Sequence, residues 1–487
     1  MSATAYQRAQ NPAHQRQGNE LPTELPPHAG RAALGIFIVL LAQLMLVLDG
    51  TVVNVALPHI SGDLGFSAAG LSWVLNGYTL AFGGLLLLGG RLGDVFGRLR
   101  VFWIGVAIFT AFSLIGGLAL SPAMLIVSRA LQGVGAAVAA PSVLALLTTS
   151  APDAAARNRA LGLFTAVSSG GGALGLLLGG VLTDALSWRW TLFINVPIGI
   201  GILLSVRRFV AETPRRPGRF DVVGAIAATG GAVSIVWALI SAPDHGWGSW
   251  QTVGGLLLGA ALLATLAVTE TRVSHPLLRP ALLRDRHRVA GLVIMASFFG
   301  GMMAIFFLLV QFLEDDLGFS PLQTGFAFLP MPLSIFTLSR ITPRLVSRFG
   351  PVPPIVVGTA GVTLAFLRLA DLASGSTYLA VFPALLLLGI SAGLTFMPIT
   401  ALILRGVEPE HAGAASGLLQ TMQQLGGSIG LAVITSVYAA HAVSGDFLHG
   451  ARYGFAAAAV LAGIALLSAL TLVIRRSPYR RTVAQAD

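Results

Sequence analysis

About fourteen apolar stretches of membrane-spanning length fill almost the whole sequence, at roughly 33–57, 70–90, 101–121, 122–147, 160–186, 190–210, 222–241, 252–270, 289–313, 322–341, 352–372, 378–403, 413–440 and 453–474. A helix of about 20 apolar residues covers the ~30 Å hydrocarbon core of a bilayer. Only 10% of the 487 residues are charged, against about 25% in soluble domains. The prediction is an all-α, multi-pass membrane protein with about fourteen transmembrane helices. An even number of spans puts both termini on one side, and arginine says which. Twenty-six of the thirty basic residues lie in the tails and the even-numbered connections, whereas the opposite side holds only Arg189 and Arg452. Arginine-rich loops stay in the cytoplasm, so both termini are expected there. The net charge of +10 is then a topology signal, and a nucleic-acid partner is not expected.

Several chemistries are excluded by what the chain lacks. There is no cysteine, hence no disulfide, thiol catalysis or thiolate metal site. There is no lysine either, which removes the P-loop lysine of ATP-driven transporters and any Schiff-base lysine. No HExxH occurs, and no nucleophile converges with a base, so neither a metal site nor enzyme activity is expected. Work must be powered by an ion gradient, without a cofactor. Residues 1–31 read as a disordered cytoplasmic tail, polar and without the apolar core of a signal peptide.

The sequence repeats itself. Gly65-Phe66-Ser67 recurs as Gly318-Phe319-Ser320, and at the same offset Arg91-Leu92 matches Arg344-Leu345 and Phe96-Gly97 matches Phe349-Gly350. Gly171 to Leu176 likewise resembles Gly426 to Leu431. Segment two thus corresponds to segment ten, and five to thirteen. The expected layout is a six-helix bundle over 32–210, two inserted helices over 211–288, a second bundle over 289–474 and a tail over 475–487. Parallel repeats of this kind build secondary transporters whose site lies between the halves near the midplane.

One carboxylate, Asp49, stands inside the first run, and one arginine, Arg129, inside the fourth. An ionisable group at such depth is costly, and a functional site is its default reading. From Leu57 and Pro122, at 1.5 Å per residue, Asp49 and Arg129 lie ~12 Å and ~10 Å inward. Opposite charges at matched depth can pair, either as an element that opens with conformation or as a static buried pair.

The turn Gly90-Arg91-Leu92-Gly93-Asp94-Val95-Phe96-Gly97-Arg98-Leu99-Arg100 joins segments two and three. It resembles the loop motif of the major facilitator superfamily, with Val95 and Leu99 where that family is usually basic. The run Gly170 to Gly180 is similar to the family's antiporter motif in the fifth helix, with Leu176 in place of its proline; ordinary small-residue packing explains it as well. The stretches Leu48-Asp49-Gly50-Thr51-Val52-Val53-Asn54-Val55-Ala56-Leu57-Pro58 and Trp188 to Gly199, with two inserted helices, resemble the fourteen-helix drug:proton antiporters of that superfamily. The resemblance covers about 33 to 475. It implies proton-driven efflux of amphipathic, often cationic, compounds or antibiotics across a bacterial plasma membrane, by a monomer. The runner-up is a dedicated exporter of one endogenous metabolite, lipid or self-made antibiotic.

By that pattern Asp49 is the protonation site and Arg129 its partner. Gly90, Arg91, Asp94, Gly97, Arg98, Gly175, Gly179 and Gly180 would serve conformational change. The intramembrane amides Gln43, Asn54, Asn76, Gln132, Gln311, Gln420 and Gln424 either line a cavity or bind helices together. Phe307 and Met397 are candidate cavity walls, methionine because it refits to varied shapes.

Overall fold

The computed structural model describes residues 27–151, 153–213, 215, 222–272, 285–407, 412–443 and 446–474. Residues 1–26 and 475–487 of the expected tails, and 214, 216–221 and 273–284 of the inserted segment, lie outside the described residues. The first half comprises α1 (Pro27–Val52), α2 (Leu57–Leu64), α3 (Ala68–Phe96), α4 (Arg98–Gly117), α5 (Pro122–Thr149), α6 (Ala154–Ala185), α7 (Trp190–Phe193) and α8 (Asn195–Phe209). Two inserted helices follow, α9 (Val222–His245) and α10 (Trp250–Arg272). The second half begins with α11 (Arg286–Ala304), which continues through π-helical turns at Ile305–Leu309 and Phe312–Asp316. It ends with α12 (Pro321–Ala327), α13 (Pro330–Phe349), α14 (Val352–Ala370), α15 (Tyr378–Leu404), α16 (Ala412–Ala440) and α17 (Phe447–Ile474). Among the described residues, 11 spans are long and apolar enough to cross a membrane, or 13 if the bent pairs within α3 and α6 each count as one. The 29-residue α16 stands where the thirteenth segment was expected.

The first helix is shorter than its apolar run. It stops at Val52, turns through Val53–Ala56, and restarts as α2 with Pro58 in its first turn. Proline lacks the N–H that would bond back one turn and its ring crowds that carbonyl, so a continuous helix breaks here while a new one starts well.

The repeat is visible in the backbone. Gly65 and Gly318 both adopt left-handed φ, at 71° and 67°, where a side chain would be strained. Each is followed by a serine N-cap: Ser67 accepts from the Gly70 amide and Ser320 from the Gln323 amide. The matching pair Gly97 and Gly350 also share positive φ, 103° and 81°. Packing repeats too, since α3, α4 and α5 meet as α13, α14 and α15 do, and α1 lies on α6 as α11 lies on α16.

The core has two ends of different character. At the end that carries α2, one apolar cluster joins the halves, with Leu57, Ile60 and Leu71 packed in the same cluster as Phe307, Phe312 and Phe328. At the end that carries the Arg98 turn the core divides. Phe102, Phe109 and Val143 form a cluster of first-half residues only, and Ile294, Ile399 and Ile403 a cluster of second-half residues only. The halves therefore touch at the α2 end and part toward the other.

Two seams hold them together. In one, Thr79 and Ser428 hydroxyls meet at 2.5 Å, and Thr421 donates to the Gly83 carbonyl at 3.2 Å. In the other, Gly180 lies so close to α12 that a Cβ there would sit 2.5 Å from the Pro321 carbonyl oxygen. The inserted α9 packs along the α3–α16 seam, where Ala232, Val236 and Ile240 share a cluster with Leu80 and Leu425.

Close helix packing inside the first half rests on glycine. A Cβ on Gly135 would stand 2.6 Å from the Phe109 nitrogen of α4. Gly135→Val is expected to cost roughly 1–3 kcal/mol through overpacking, read as a lower melting temperature of the detergent-solubilised protein.

Candidate functional site

Asp49 and Arg129 meet as the sequence predicts. Arg129 Nη1 donates to Asp49 Oδ2 at 2.7 Å, with both side chains excluded from solvent (1% and 0% exposed). Five helices converge on this pair. From α5, Gln132 Nε2 donates to Asp49 Oδ1 at 3.2 Å, and from α8 Asn195 Nδ2 donates to the same oxygen at 2.9 Å. Arg129 Nε reaches the Val74 carbonyl of α3 at 3.2 Å, and its Nη1 also reaches Gln132 Oε1 at 3.1 Å. The guanidinium lies 4.5 Å from the centre of the Tyr78 ring, a cation–π contact. Ser113 of α4 accepts from Gln132 Nε2 at 2.7 Å, which fixes the amide that serves Asp49.

The two oxygens of Asp49 thus accept three N–H bonds, which matches the ionised carboxylate to its surroundings. A proton on it would cancel the charge that compensates the buried Arg129 guanidinium and weaken the bonds it accepts. That is what a conformational proton site needs: one charge state fits the observed packing and the other does not. Asn195, Ser113 and Tyr78 are the cage members that sequence reasoning missed. Asn195 lies in the stretch Trp188 to Gly199, but nothing in its spacing says that it faces α1.

The structure redistributes the expected cargo-facing residues. Gln132 is engaged with Asp49 and Ser113, so it belongs to the cage. Asn54 is buried and donates to the Gly50 carbonyl at 3.4 Å, one turn back. Phe307 is fully buried in the shared apolar core, edge-on to Tyr438, and Gln311 donates to the Phe307 carbonyl of its own helix. None of these three lines an open cleft, because the α2 end is shut around them. Gln43 ties α1 to α6 through Ser168 at 3.1 Å. Met397 is 41% exposed on α15. Gln420 is exposed and Gln424 half-buried; a Cβ on Gly83 would lie 2.5 Å from the Gln424 Cβ. Asn76 is buried, and both its amide atoms are without a hydrogen-bond partner among the described residues. It shares a face of α3 with Thr79 and Gly83, which looks across the seam.

The turn motif is built as a clasp within the first half. Asp94 and Arg98 pair at 2.6 Å, and Arg98 Nη1 donates to the Pro141 carbonyl at 3.1 Å. Glu212, which the sequence did not single out, accepts from the Leu99 and Arg100 amides at 2.8 and 3.0 Å and so caps α4. Gly97 lies directly under that carboxylate, with room for no Cβ. A Cβ on Gly90 would meet Pro141 of α5 only at ordinary contact distance, and Arg91 is half-buried. Gly175 and Gly179 press on Thr51 and Val52 of α1, whereas Gly180 faces α12. α6 bends by 41° between Ser168 and Gly170, at the start of the glycine run and away from Leu176.

Removing one partner of a buried pair leaves an uncompensated charge. Arg129→Gln is expected to destabilise by ~3–5 kcal/mol, and Asp49→Asn in the same chain to restore most of it. Thermal melts of the four proteins of that cycle measure the coupling.

The comparisons agree with this architecture. The sequence model of the Major Facilitator Superfamily matches residues 39–431. The chain is 41% identical over 411 residues to the puromycin resistance protein pur8 of Streptomyces alboniger, covering 83% of this chain and 81% of that protein. It is 39% identical over 452 residues to the cephamycin export protein CmcT of Amycolatopsis lactamdurans, covering 91% and 92%. Among solved structures, a peptide transporter POT in complex with sulfate superposes with a TM-score of 0.67 at 16% identity, covering 92% of this chain and 98% of that one, a likeness of fold alone. The chain is a multi-pass membrane transporter and not an enzyme, and it belongs to the major facilitator superfamily.

Proposed function

We propose that the protein is a proton-coupled antiporter that exports amphipathic drugs or antibiotics, cationic ones among them, by alternating access. The observation that carries this reading is the buried Asp49 carboxylate, held by Arg129, Gln132 and Asn195 within one half of a two-fold repeat. In this reading the termini and the Arg98 turn face the cytoplasm and the α2 end faces outward, as the arginine distribution indicates. The observed arrangement, joined at the α2 end, is then the inward-facing one. Cargo enters the cleft between the halves, with Gln424 and Met397 as contacts. After the halves rock, a proton from outside reaches Asp49 and weakens its cage. The first half then repacks, cargo leaves, and the loaded carrier returns to release the proton inside. No cofactor is needed, and one chain suffices. A proton-motive force of about 100 mV supplies ~2.3 kcal/mol per proton, enough for roughly fifty-fold accumulation outside.

A second reading, an exporter dedicated to one self-made antibiotic, is favoured by relatives that are each named for a single compound. Deletion separates the two: broad sensitisation to unrelated toxic compounds supports multidrug efflux, and sensitivity to one compound supports the dedicated exporter.

In everted vesicles with an acidified lumen, adding a transported compound such as puromycin is expected to release protons from the lumen. Asp49→Asn is expected to abolish the release, while vesicles of the Asp49→Asn protein still bind the compound. Full activity in that variant would remove Asp49 from the mechanism.

A further inference from the structure

A second titratable pair crosses between the halves at the α2 end, and the Asp49 mechanism does not use it. His59 Nδ1 on α2 lies 3.4 Å from Glu314 Oε2, in the π-helical turn that ends α11. Their side chains are 46% and 5% exposed, so the imidazole reaches solvent while the carboxylate does not. Each member is fixed to its own half. Asp63 ties α2 to the first half, accepting from Arg189 Nη1 at 2.6 Å and Trp188 Nε1 at 2.9 Å. Glu314 lies on the continuation of α11, which packs against α16 and α17 of the second half. The 3.4 Å contact can therefore exist only while the halves are together.

We propose that His59 and Glu314 form a second proton-binding site, split between the two halves, that latches the α2 end shut while it holds its proton. The physical reason is the environment of Glu314. Shut, its carboxylate is removed from water, and a protonated imidazole is the cation against it. Open, the carboxylate regains water and His59 loses its partner. The shut form therefore binds a proton more tightly than the open form, and by linkage protons favour the shut form. The surrounding charges act in the same sense. Contact with Glu314 raises His59 above the usual histidine range against the opposing effect of burial, and Asp184 at the end of α6 and Asp315 add to it.

The sign of the dependence follows. The latch is fully made below the ordinary histidine value of about 6.5. It is lost as pH rises through the raised value of the shut form. The Asp63 clamp stays intact over this range, because Trp188 and then Arg189 hold its carboxyl below the usual carboxylate range. On the orientation argued under the proposed function, the site is loaded from outside. External protons would then favour closure of the α2 end, the step that returns a proton-loaded carrier. Its proton goes back outside on reopening and adds nothing to the number carried across.

The chain has no cysteine, so spin labels can be placed singly. Leu120→Cys and Ser374→Cys put labels on exposed loops of opposite halves at the α2 end. Pulsed electron-paramagnetic-resonance distances in nanodiscs, taken from about pH 6 to about pH 9, should show the long-distance population growing, by up to about tenfold per pH unit in the open-to-shut ratio. His59→Gln and Glu314→Gln should each remove that step, and His59→Arg should hold the short distance throughout. His59 is half-exposed, so its variants test the latch even where Glu314→Gln does not fold. A step that persists in His59→Gln, or that runs toward the short distance as pH rises, overturns the latch. Asp49→Asn separates this from the export reading: in that background a pH-driven distance step that disappears on adding His59→Gln belongs to the latch, and one that His59→Gln leaves unchanged overturns it.

Discussion

A carboxylate with no exposure to water must be compensated, and much of the first half is arranged around that requirement. Asp49 has a guanidinium and two amides on its oxygens, drawn from α5 and α8, with α3 and α4 fixing the donors. The requirement explains why glycines let α4 and α5 approach so closely at Gly105 and Gly135. It also explains why Arg129 is boxed by a ring and a backbone carbonyl: a guanidinium free to choose rotamers would not hold one charge state over another.

No second-half residue touches Asp49 among the described contacts, so coupling to the rocking motion has to pass through helices shared by the cage and the seams. Two helices qualify. α3 supplies Val74 and Tyr78 to the cage, then Thr79 and Gly83 to the seam with α16. α1 carries Asp49 and presses Thr51 and Val52 on the glycines of α6, whose neighbour Gly180 meets α12. A change of charge at Asp49 lies within one or two turns of both contacts between the halves. The inserted α9 lies against the α3–α16 seam and leaves the α6–α12 seam uncovered, which makes the two sides of the cleft unlike.

The halves, the repeat and the central ion pair were legible because each leaves a mark along the chain. Apolar length, arginine placement and an isolated charge in an apolar run are local quantities, and the repeat of Gly65-Phe66-Ser67 encodes a cap whose geometry recurs at Gly318. What stayed hidden depends on rotation about helix axes. Spacing cannot say whether Phe307 faces a cavity or a core, and the shut α2 end buries it. Gln132 and Asn195 are ordinary amides until α5 and α8 turn them toward α1. Glu212, distant from the turn it caps, and the His59–Glu314 contact, separated by most of the first half and both inserted helices, carry no sequence signal at all. The end of α1 was misjudged because hydropathy runs on past Val52, whereas Pro58 sets the break.

The central claim is that Asp49 gains and loses a proton as cargo comes and goes. Infrared difference spectra of the reconstituted protein, with aspartate isotopically labelled, read this directly. The account predicts that cargo addition removes a protonated-carboxyl band that shifts with the label and is absent from Asp49→Asn. A spectrum in which that band is unchanged by cargo, or persists in Asp49→Asn, would contradict it.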